Sequence, residues 1–124
     1  MRVLKITTLV VAVAICLTGL LQAKQNKYGV ADVRKITFTA PMRVGEVLLP
    51  QGEYEVRHVM EAQNHIMLFK QLRRSKPAEA RVKCKLVPLK EKAESDQVIY
   101  VINAANEKVL QTLTFRGDLA QHVF

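Results

Sequence analysis

The sequence predicts an all-β domain: a small antiparallel β-sandwich or barrel of seven or eight short strands, preceded by a signal peptide. Three observations predict it. Apolar residues recur with the strand period of two, as in Ile36, Phe38 and Ala40, or Ala80, Val82, Cys84 and Leu86. Turn-forming groups such as Pro50-Gln51-Gly52 and Gly117-Asp118 punctuate the chain at short intervals. No window after residue 23 sustains a helical period.

The length, 124 residues, suits one domain. Apolar residues make up 49% and charged residues 24%, a balance that argues against wholesale disorder. Residues 1–23 have the layout of a secretory signal: Arg2 and Lys5, an uncharged run from Ile6 to Leu21, and small Ala23 before a cut. The run falls short of the roughly 20 residues of a spanning helix. An uncleaved anchor is the alternative; a lipoprotein signal at Cys16 is disfavoured by Ile15 before it. The expectation is an exported protein, periplasmic or extracellular, with no transmembrane segment after cleavage. Its 101 mature residues carry 17 basic and 11 acidic side chains. Cys84 is then the single cysteine, which excludes an internal disulfide.

Residues 24–33 read as a polar, flexible lead-in to a single domain over 34–124. Ile36, Phe38 and Ala40 alternate with Lys35, Thr37 and Thr39 until Pro41, which cannot donate to a ladder. Val47-Leu48-Leu49 is a short apolar run before the Pro50–Gly52 turn. Glu53 to Met60 and His65 to Leu72 form a hairpin around residues 61–64. A basic loop with Pro77 leads to the strand from Glu79 to Val87, closed by Pro88. Residues 90–96 form a charged connection with room for one helical turn at most. Gln97 to Asn103 and Lys108 to Arg116 make a last hairpin, and Leu119 to Phe124 a final segment. The predicted inward set is Ile36, Phe38, Tyr54, Val56, Phe69, Val82, Cys84, Leu86, Val98, Tyr100, Leu113 and Phe115.

Val44-Gly45 and Leu49-Pro50-Gln51-Gly52-Glu53-Tyr54-Glu55-Val56 carry a resemblance. They resemble the LPxGxYxV hairpin of small exported bacterial β-domains of acidobacterial type. The likeness runs on through Asn64 to Met67, Ala80 to Leu89 and Thr114 to Asp118, most of the mature chain. It implies an extracytoplasmic β-fold. It assigns no activity and no functional residue.

Chemistry concentrates in one hairpin. His58-Val59-Met60 and His65-Ile66-Met67 repeat an H-x-M pattern about the turn. With residues 61–64 as the loop, Met60 faces His65 and His58 faces Met67, all on one side. Imidazole and thioether are soft donors that suit copper, above all Cu(I), and Cys84 points to the same side. The plainer reading is that Met60 and Met67 fill gaps in the core and the two histidines sit at its rim. Cys84, between Val82 and Leu86, has a matching plain reading as an inert buried thiol.

The second feature is electrostatic. Lys70 to Lys92 holds nine basic residues against two acidic ones. Arg81, Lys83 and Lys85 share one strand face, suited to an anionic envelope component or a protein partner. Protection of an edge strand is the plainer account. Nucleic acid does not fit: the protein is read as exported, and no aromatic interleaves the cations. No Gly-rich phosphate loop, Ser/His pairing or pocketed carboxylate pair is legible, so no enzyme is expected. The reading is a non-catalytic exported domain for binding or envelope structure that needs no cofactor. Its alternative is copper handling through His58, Met60, His65 and Met67.

Overall fold

The computed structural model describes residues 32–124. The signal peptide read at 1–23 and nearly all of the 24–33 lead-in lie outside the described residues. The described residues form nine strands and no helix: β1 (Val33–Phe38), β2 (Met42–Val44), β3 (Val47–Leu49), β4 (Gly52–Glu61), β5 (Asn64–Gln71), β6 (Glu79–Pro88), β7 (Gln97–Ile102), β8 (Lys108–Thr114) and β9 (Ala120–Val123). The all-β prediction holds, with nine strands where seven or eight were expected.

One open sheet joins them in the order β1-β4-β5-β6-β9-β8-β2-β3, with β7 paired to β8. Strand β6 links two halves. Its residues up to Cys84 pair with β5, and those from Lys85 onward pair with β9. A single apolar core lies between the halves, drawn from β1 to β6 and β8. Phe38, Tyr54 and Phe69 are its aromatic centre, with ring centroids 5.4 Å and 6.3 Å apart. Each fully buried side chain of this size contributes about 1.5–3 kcal/mol. Tyr54 also satisfies its hydroxyl, which donates to the Pro50 carbonyl at 2.5 Å.

The β4–β5 register is the predicted one, from Tyr54 opposite Gln71 to Met60 opposite His65. The turn is tighter than the loop read over 61–64. Glu61 pairs with Asn64, leaving Ala62 and Gln63 at the tip, with Ala62 at φ 54°. Of the predicted inward set, Ile36, Phe38, Tyr54, Val56, Phe69, Cys84, Leu113 and Phe115 are buried, and Val82, Leu86 and Val98 are partly so.

Tyr100 is the exception. It is 42% exposed, and Ile99, Val101 and Ile102 beside it are exposed to a similar degree, so this end of β7 lies outside the core on both faces; the register shift there leaves Gln111 of β8 as the extra residue. The unforeseen strand is β2, three residues long between Pro41 and Gly45 and too short to show a period. It turns back into β3 through Gly45, at φ 60°, and meets β8 in a parallel bridge at Arg43 and Val109. Arg43 holds Glu107 with two hydrogen bonds of 2.9 and 2.8 Å, which push the Glu107 carboxyl down to about 2.

A second ion pair spans the two halves. Arg34 of β1 donates to the buried carboxylate of Asp118 at 2.5 Å and lies over the Phe115 ring. Arg81, Lys83 and Lys85 all point outward, as predicted. Residues 79–84 of β6 pair with β5 alone and 85–88 with β9 alone, so protection of an open strand edge still accounts for them. No helix among the described residues is long and apolar enough to cross a membrane.

Candidate metal centre

Four strands bring three histidines and the single cysteine of the described residues together at the turn end of the core. The β4–β5 hairpin sets His58 and His65 diagonally across the ladder, and their rings stack with centroids 5.0 Å apart. His58 Nε2 and His65 Nδ1 share a hydrogen bond of 3.0 Å, one ring donating and the other accepting. Cys84 enters from β6, directly opposite His65. His122 enters from β9, opposite Leu86 of β6 and Leu113 of β8.

Donor atoms of His58, Cys84 and His122 all lie within 4.8 Å of one another. The His122 ring is 1% exposed, with its Nδ1 4.0 Å from the Cys84 sulfur. Its Nε2 is buried with no hydrogen-bond partner among the described residues. An imidazole nitrogen left alone in a core costs about 1–3 kcal/mol unless something coordinates it.

The electrostatics keep the cluster neutral. Burial, then repulsion from His58 and His65, pulls His122 down to about 4. Burial and the facing His65 also lower His58. Burial pushes the Cys84 thiol up to about 11. At neutral pH the cluster therefore presents two unprotonated imidazoles and an intact thiol. An arriving cation finds the nitrogens ready and has only the thiol proton to displace. Without a metal, that thiol is a poor nucleophile.

The predicted ligand set is thus rearranged. His58 and His65 come together as the hairpin pattern indicated. Met67 is buried opposite His58, but as part of the apolar core. Met60, 49% exposed, stands at the rim. His122 was missed as a partner. Alternation of Ala120, His122 and Phe124 shows that it shares their side, but not which strand lies alongside. Cys84 was foreseen to point inward; its meeting with His122 follows from β6 changing partners beside it. Two imidazoles and a thiolate match the His₂Cys donor set of copper sites, and zinc takes the same donors. Magnesium and calcium prefer oxygen.

The anionic-surface residues lie elsewhere. Arg81 is ion-paired to Glu61, whereas Lys83 and Lys85 have no carboxylate partner among the described residues. Compared with known proteins, the chain matches no protein family, no curated protein and no solved structure.

Proposed function

We propose that the protein is an exported, non-catalytic domain, periplasmic or secreted, that binds copper(I) through His58, Cys84 and His122. The observation that carries this reading is the convergence of those three donors within 4.8 Å, with His122 Nε2 buried and unpartnered. His65 orients His58 through their shared hydrogen bond, the part an outer partner plays for a ligating histidine. A donor set of two imidazoles and one thiolate suits a soft ion of low coordination number. The raised thiol supports holding the ion rather than covalent catalysis at Cys84.

Anaerobic competition with a Cu(I) chelator tests it. The protein should take one equivalent, and Cys84→Ser should weaken binding by about a hundredfold or more. Equal competition by wild type and Cys84→Ser overturns the site. Zinc bound at least as tightly as copper(I) overturns the choice of metal and keeps the ligands.

A second reading rests on Lys83 and Lys85, which have no carboxylate partner among the described residues on the outward face of β6: contact with an anionic envelope component. Co-sedimentation with anionic vesicles should then fall with salt and be lost in Lys83→Glu/Lys85→Glu. Salt-independent behaviour removes this reading.

A further inference from the structure

Strand β7 leaves the core with one edge open. It pairs with β8 on one side, and no strand among the described residues pairs with the other. A cavity of about 530 Å³, bordered by Ile36 and Thr37 of β1 and by Val98, lies between β1 and the start of β7. Ile99, Tyr100, Val101 and Ile102 are 49%, 42%, 43% and 53% exposed, a run of four that no other strand among the described residues repeats. An open ladder edge is a template for another strand, and proteins ordinarily blunt it with charge, proline or a bulge. The open edges of β1 and β6 carry Arg34, Lys35, Arg81 and Lys83. β7, reading Gln97-Val98-Ile99-Tyr100-Val101-Ile102, carries no charged residue and no proline. The extra residue of its bulge, Gln111, belongs to β8, so the outer edge of β7 stays regular.

The hairpin fixes which backbone groups face out. The Asn103 N–H donates to the Glu107 carbonyl, so by alternation Val101 and Ile99 also turn their backbone groups towards β8. Val98, Tyr100 and Ile102 turn theirs to the open edge. An antiparallel partner must set outward groups against outward groups. A second β7 does so with Tyr100 opposite the partner's Tyr100 and Val98 opposite the partner's Ile102, which makes about six hydrogen bonds. Ile99 then faces the partner's Val101, so these facing pairs are all apolar. The next pair outward is Gln97 with the partner's Asn103, and no like charges meet. Elsewhere two copies repel, since the chain carries a formal net charge of +8. The four exposed side chains offer roughly 300–400 Å² per copy, the size at which an apolar patch is often an interaction site. Two such patches give about 700 Å², the scale of a weak, exchanging pair; a tight complex needs about 1,200 Å² or more.

We infer that β7 is a self-association edge: two copies of the chain join their β7 strands antiparallel about a two-fold axis at Tyr100, and one sheet continues across the pair. The contact is isologous and occupies the β7 edge of both copies, so assembly closes at two and does not grow into a fibre. The inference does not depend on the metal reading.

Sedimentation equilibrium of the purified protein, from about 1 μM to 1 mM, reads the association directly. A monomer–dimer equilibrium with a dissociation constant of about 10–100 μM is expected. It should tighten as salt screens the repulsion between two basic copies. Tyr100→Lys sets two cations face to face at the axis and should weaken the dimer by about tenfold or more. Ile102→Lys gives the same reading from the end of the strand, should either variant fail to show the wild-type circular dichroism spectrum. The register has its own test. Residues opposed across an outward hydrogen-bonded pair have Cα atoms about 5.5 Å apart, within reach of a disulfide. Tyr100→Cys should therefore form a cross-linked dimer under mild oxidation. Ile99→Cys should not exceed the wild type, because residue 99 faces the partner's Val101 and not its own copy. A protein that stays monomeric throughout, or a dimer that both folded lysine variants leave unchanged, overturns the inference. So do oligomers beyond two, or cross-linking at position 99 in preference to position 100.

Discussion

The two ends of the β4–β5 hairpin share one ladder and one inward face, yet they are built differently. At the far end Tyr54, Val56 and Phe69 are all but inaccessible, packed with Phe38, and the polar groups are partnered: the Tyr54 hydroxyl donates to the Pro50 carbonyl and the buried Gln71 side chain accepts from the Ala78 amide. At the turn end the same face carries His58, Met60 and His65, joined by Cys84 and His122. There the buried His122 Nε2 has no partner among the described residues. One end stabilises the fold. The other buries a nitrogen without a partner, at a cost in stability.

The largest expected effect tests the apolar end. Phe69→Ala should lower stability by about 3–5 kcal/mol in denaturant unfolding, through lost burial and the cavity left behind. His122→Leu keeps the volume and removes the orphaned nitrogen. Its cost should stay below about 1.5 kcal/mol. If His122→Leu costs as much as Phe69→Ala, the two ends are not distinct.

Acid is the next largest perturbation, and it acts on the histidine end. His122 titrates at about 4 when folded and near 6.5 when unfolded. The unfolded chain therefore binds the proton first, and stability is lost as the pH falls from 6.5 towards 4. The loss from His122 should approach about 3 kcal/mol in metal-free protein, with His58 adding in the same direction. His122→Leu should flatten most of this slope. A wild-type profile level between pH 4 and 6.5 would contradict the burial argument.

A smaller effect lies at the hairpin tip. Ala62 holds φ at 54°, which a side chain disfavours. Ala62→Gly should raise the midpoint of thermal unfolding, by up to about 1 kcal/mol in stability. Any loss of stability would show that the tip relaxes to another turn.

The smallest effect separates the ligand sets. Met60→Leu/Met67→Leu keeps volume and removes both sulfurs. Copper(I) affinity should stay within about twofold, because Met60 is at the rim and Met67 packs in the core. Loss of copper in this variant, with Cys84→Ser unaffected, would restore the hairpin-only site with His58, Met60, His65 and Met67.

Much of this was legible before any coordinates. Alternation in a strand is a local property, and a tight turn leaves little freedom of register. Pairing of Tyr54 with Gln71, and of His58 with Met67, therefore follows from residues 53–72 alone. The same locality marks the failures. β2 is too short to show a period, and the apolar run from Ile99 to Ile102 gives no sign that this end of β7 lies outside the core.

By itself, the sequence determined the all-β class, the central hairpin with its register, and the outward stripe of Arg81, Lys83 and Lys85. Only the tertiary structure decided that β6 exchanges β5 for β9 after Cys84, and so that His122 arrives beside it from 38 residues away. The physical reason is reach. Period and turn chemistry act over a few residues, whereas partner choice between distant strands depends on how the whole sheet closes over one core. The cluster of His58, Cys84 and His122 lies at a junction of that second kind.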